Sequence, residues 1–115
     1  MSNLNLAARA YATASVNRTT REQEADIFRL VIARLQAARQ GGPAVRVRAL
    51  ADNRRLWTLV TDLVRDDENP LPLETRAGIL SIGRCVQREM DADEPSFDFL
   101  ISINKNIADG LSGSP

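Results

Sequence analysis

The sequence predicts an all-α protein: a small bundle of four main helices preceded by a short N-terminal helix. Three observations lead there. Apolar residues recur at spacings of three and four along most of the chain, and no segment shows the period-two alternation of a strand. The periodic stretches are separated by short breaks built from helix-stopping residues: Gly41-Gly42-Pro43, Asn69-Pro70-Leu71-Pro72 and Asp91-Ala92-Asp93-Glu94-Pro95. At 115 residues the chain supports one hydrophobic core, so residues 1–115 are expected to form a single domain.

Residues 2–16 carry only a thin apolar stripe (Leu4, Ala8, Tyr11). Residues 1–17 are therefore expected to be either a weak helix docked by Tyr11 or a frayed arm. Thr19-Thr20-Arg21-Glu22-Gln23 begins the first main helix: Thr19 with Glu22, or Thr20 with Gln23, has the spacing of a capping box. Ile27, Phe28, Leu30, Val31, Ile32 and Leu35 then give an apolar face wider than half the circumference, the pattern of a helix sandwiched between neighbours. Gly41-Gly42-Pro43 should end it, with glycine in a left-handed cap.

The second main helix, 44–66, holds Trp57, the only tryptophan. Leu50, Trp57, Val60 and Val64, with Leu56 and Leu63 beside them, form one broad apolar face. Trp57 reads as core, and its burial contributes on the order of 3 kcal/mol. Asn53 lies on that face one turn before it, where an amide must find partners or cost roughly 1–3 kcal/mol. Asp66-Asp67-Glu68 reads as a solvated loop paired with arginines elsewhere.

The third main helix, 72–90, should start with Pro72 and bury Leu73, Ala77, Leu80, Ile82, Val86 and Met90. It also carries a line of small residues, Gly78, Ser81 and Cys85. The cost of Gly78 and Gly83, about 1 kcal/mol each against alanine, suggests that another helix approaches closely. Cys85 reads as a small buried core residue. The fourth main helix, 96–109, presents Phe97, Leu100, Ile101, Ile103 and Ile107 with Asn104 inside the stripe; Gly110 should stop it, and residues 112–115 should be disordered.

Composition narrows the function. Fifteen basic and fifteen acidic residues cancel, so no net field draws the chain to nucleic acid or to an anionic membrane. The chain has no histidine, one cysteine, no Gly-rich phosphate loop and no metal-spaced cluster. Catalysis is therefore disfavoured, and no cofactor or metal is expected. No apolar run reaches the ~20 residues of a membrane span and no signal peptide is evident, which points to the cytoplasm. Asn53 and Asn104 sit in apolar stripes of different helices. They either cap a loop or tie helix to helix, or they border a groove that receives a partner. The candidate partner-binding residues are Asn53, Arg54, Trp57, Gly78, Ser81 and Asn104.

The ordered motifs A-L-x-x-N-x-x-L-W (Ala49 to Trp57), N-P-L-P (Asn69 to Pro72), R-A-G-I-L-S-I-G (Arg76 to Gly83) and I-N-x-x-I-x-x-G-L (Ile103 to Leu111) resemble the alphaproteobacterial flagellar biosynthesis regulator family FlaF. The likeness runs from about Tyr11 to Leu111; Cys85 stands where an aromatic residue is expected in relatives. The resemblance implies a non-enzymatic cytoplasmic factor that promotes flagellin production or export, by binding flagellin as an adaptor or secretion chaperone. It also implies a relation to the regulator FlbT, which restrains translation of flagellin messenger RNA. The alternative is an RNA-associated regulator of that message, acting directly or through FlbT. Arg46, Arg48, Arg54 and Arg55 would be its contact face, although neutral charge and the lack of exposed aromatic platforms argue against direct RNA binding.

Overall fold

The computed structural model describes residues 20–111. All the regular structure among them is helical: α1 (Thr20–Ala38), α2 (Pro43–Arg65), α3 (Leu73–Met90) and α4 (Phe97–Leu111). The expected N-terminal helix or arm, the Thr19 half of the capping box and the 112–115 tail lie outside the described residues.

α1 packs against both α2 and α4, as its wide apolar face requires, and α3 packs on α2. Ala25, Phe28, Val31, Ile32, Leu35 and Ala38 form the buried stripe of α1, while Ile27 and Leu30 turn outward. Trp57 sits at the centre, fully buried, with the Phe28 ring edge-on at 5.9 Å between centroids. Leu100, Ile101 and Ala108 of α4 and Val86 and Met90 of α3 complete the core.

The breaks fall where the sequence places them, with different local chemistry. Neither Gly41 nor Gly42 adopts a positive φ. The turn after α1 closes instead through the Gly41 N–H to the Ala38 carbonyl at 2.8 Å, and Gly42, at φ −73°, hands over to Pro43 at the start of α2. Pro72 is the cap before α3, so the helix begins one residue later than expected. Gly110 does not stop α4, which runs through it to Leu111. Asn69 organises the Asn-Pro-Leu-Pro turn: its Nδ2–H donates to the Leu63 carbonyl at 2.9 Å, and its Oδ1 accepts from the Leu71 N–H at 3.0 Å. The acidic loop is held by Arg76, which donates to the Asp66 carbonyl and approaches Asp67 at 3.9 Å.

α1 and α4 run antiparallel, so the C-terminal end of α1 meets the N-terminal ends of α2 and α4. That end is fastened. Arg46 stacks on the Phe97 ring at 4.3 Å and donates to the Arg39 carbonyl at 2.7 Å, while Arg39 pairs with Asp98 at 2.7 Å. Ser96 Oγ caps α4 by accepting from the Phe99 N–H.

Candidate functional site

The two core asparagines join α2 to α4. Trp57 Nε1–H donates to Asn104 Oδ1 at 2.9 Å, Asn104 Nδ2–H to Asn53 Oδ1 at 2.7 Å, and Asn53 Nδ2–H to Met90 Sδ at 3.2 Å. Both asparagines and Trp57 have no exposed surface. The direction of the relay follows from chemistry: an indole can only donate, so Asn104 must turn its oxygen to Trp57 and its amide hydrogens to Asn53. The motif spacing is thereby explained. Asn53 and Trp57 stand one turn apart on one face of α2, and Asn104 bridges them from α4. Of the two readings for these amides, the tie between helices is the one the geometry presents. Any influence of Asn53, Trp57 and Asn104 on a partner passes through the placement of the helices that they join.

The other candidates are exposed. Arg54 is engaged, donating to Gln87 Oε1 at 3.0 Å and pairing with Asp91 at 3.1 Å. Gly78 and Ser81 lie on the outer face of α3. A Cβ on Gly78 would meet nothing within 4 Å, so no helix among the described residues approaches there. Cys85 is exposed on the same face, and Ala77 and Leu73, the latter 74% exposed, also face outward. The expected close packing of the small-residue line, and the burial of Cys85, Ala77 and Leu73, are thus corrected. The reason is that α3 packs chiefly on α2 and buries one narrow face, Gly83, Val86 and Met90. The close approach occurs at Gly83, whose Cβ position lies 3.5 Å from the Trp57 ring.

The sequence did not single out an apolar concavity that the structure shows. At the end away from the Arg46–Phe97 clasp, the start of α1, the end of α2, the Leu71 turn and the end of α4 leave a narrow groove. Ile27, Leu59, Leu63, Leu71, Ile79 and Ile107 line it, and Glu24 and Asn69 are its two polar residues. Its free volume is about 60 Å³, the size of a few methyl or methylene groups. Ile27, Leu59 and Leu63 remain 41–48% exposed. The sequence signal was the apolar surplus on the first two main helices, which exceeds what the core consumes. Among the described residues no group of His, Cys, Asp and Glu side chains is placed to hold a metal ion, and no helix is long and apolar enough to cross a membrane.

A polar-locked helical core with an apolar cleft at one end defines a small helical protein whose accessible features are grooves between helices. Comparison with curated proteins and with solved structures returned no match. The family model for the flagellar protein FlaF matches residues 7–111, nearly the whole chain, and the chain belongs to that family of flagellar proteins.

Proposed function

We propose that this flagellar protein binds flagellin as an adaptor or secretion chaperone, and that the apolar groove at the end of the bundle receives an amphipathic flagellin helix. The groove carries the reading. A helix laid across it inserts apolar side chains between Ile27, Leu63 and Leu71, the mode in which helical hosts take amphipathic helices. Flagellin's terminal segments are amphipathic helices that stay unpaired until the filament assembles, so they need such cover before export. Full burial of a Leu or Ile side chain contributes about 1.5–3 kcal/mol. Ile27, Leu59 and Leu63, each near half exposed, keep roughly half of that in reserve for a partner.

Three of the arginines on which direct RNA binding would depend are engaged within the protein: Arg46 on Phe97, Arg54 with Asp91 and Gln87, and Arg55 beside Asp52 at 3.8 Å. This favours the adaptor over the message-binding regulator. The test is titration calorimetry of the full chain with monomeric flagellin at tens of micromolar, supported by co-migration on gel filtration. Binding is expected to change little with salt and to weaken at least tenfold in Leu63→Asp, which loses apolar contact and buries a carboxylate. Absence of binding by the wild-type chain, together with capture of purified FlbT, would transfer the function to the FlbT-binding alternative.

A further inference from the structure

Arg29, Arg34, Arg39, Arg54, Arg55 and Arg76 each have an aspartate within 4 Å. Arg46, Arg48, Arg65, Arg84 and Arg88 have no carboxylate partner among the described residues; Arg46 is engaged on Phe97 and Arg48 stands apart between α1 and α2, whereas Arg65, Arg84 and Arg88 border one valley between α2 and α3, on the side of that hairpin away from the apolar groove. Thr58 and Thr61 add hydroxyls, and Asp62 is the single acid there. The valley is broad and shallow. Its floor is Leu80 and Gly83, and the missing side chain at Gly83 brings the floor down almost to the Trp57 ring.

We propose that the Arg65–Arg84–Arg88 valley is a second docking surface, which takes a partner protein's helix along the carboxylates on its face. The trough between α2 and α3, with Leu80 and Gly83 at its floor, suits a third helix packed lengthwise. Leu80 to Arg88 spans about 12 Å, two helical turns at 1.5 Å per residue, so carboxylates one or two turns apart on the partner meet successive guanidinium groups. A guanidinium offers two parallel N–H donors that fit a carboxylate in a bidentate pair. An RNA strand fits less well: Asp62 stands among the arginines and repels phosphate, and no aromatic side chain borders the valley for a base to stack on. The surface is separate from the apolar groove and does not depend on flagellin being the partner.

The probe is an amidated, alanine-rich helical peptide of about 20 residues with Glu at every fourth position. The comparison ligands are the same peptide with Gln in place of Glu, and an oligouridylate. Each is titrated into the ¹⁵N-labelled full chain while the arginine Nε–H resonances are followed. The Glu peptide is expected to move Arg65, Arg84 and Arg88 saturably, leave Arg48 nearly still, and bind about tenfold tighter than the Gln peptide at low salt. Arg84→Glu with Arg88→Glu should remove that advantage, whereas Arg48→Glu should keep it. All of these positions are exposed, and unchanged helical circular dichroism verifies the fold. Equal binding of the Glu and Gln peptides, equal shifts at Arg48, or tighter binding of oligouridylate than of the Glu peptide would each overturn the proposal.

Discussion

Asn104→Leu tests the amide relay most directly. Leucine keeps the branched shape of asparagine and removes its polar atoms. The change orphans two fully buried groups: the Trp57 Nε1–H, which now donates at 2.9 Å, and Asn53 Oδ1, which now accepts at 2.7 Å. At about 1–3 kcal/mol for each unsatisfied group, the loss is about 2–6 kcal/mol, a large part of the 5–15 kcal/mol that holds a typical domain together. Asn53→Leu orphans one strong donor, Asn104 Nδ2–H, because Met90 sulfur is a weak acceptor. The double variant orphans only the Trp57 N–H. The physical expectation is therefore counterintuitive: Asn53→Leu plus Asn104→Leu is more stable than Asn104→Leu alone. Urea unfolding followed by circular dichroism and by Trp57 emission measures all four corners of the cycle. A loss under about 1 kcal/mol for Asn104→Leu, or additivity within about 0.5 kcal/mol in the double variant, would refute the relay.

The remaining predictions concern surfaces. Gly78→Ala should raise stability by about 1 kcal/mol, because its Cβ enters open space and helix propensity is gained; a loss in thermal unfolding would mean that another element packs there. Gly83→Ala should be tolerated, since its Cβ makes ordinary contact at 3.4–3.5 Å with Thr61 and Trp57, whereas Gly83→Leu should push α3 off α2 and lower the melting temperature. Cys85 should react completely with a thiol reagent in the folded protein, and labelling that required denaturant would contradict its exposure. Leu63→Asp should lower stability by about 1 kcal/mol, because roughly half of the side chain's burial already serves the fold, and unchanged helical circular dichroism at the titration temperature then assigns any loss of flagellin affinity to the groove.

Helical periodicity and the Gly, Pro and Asn breaks carried the fold, because each helix here buries a stripe that its own sequence marks. Trp57 at the centre and the pairing of Asn53 with Asn104 were also legible, since a large ring and an amide on an apolar face have few places to go. The outer helix was not. Its residues Leu73, Ala77, Gly78 and Cys85 suit a buried face, but a helix packed chiefly on one neighbour buries only one narrow stripe, here Gly83, Val86 and Met90, and periodicity does not count neighbours. The groove and the arginine valley escaped for a related reason. Both are assembled from residues far apart in the chain, and which arginines remain unpaired depends on contacts such as Arg54 with Asp91 and Arg39 with Asp98, 37 and 59 positions apart.

Three helix ends are riveted together by Arg39, Arg46, Phe97 and Asp98. A change of angle at that junction is magnified along each helix that it joins. A 15-residue helix is about 22 Å long, so a tilt of roughly 5° about the riveted end swings the far tip of α4 by about 2 Å. A displacement of that size is on the scale of a methyl group, enough to change how a side chain fits against Ile107 and Leu111 in the apolar groove.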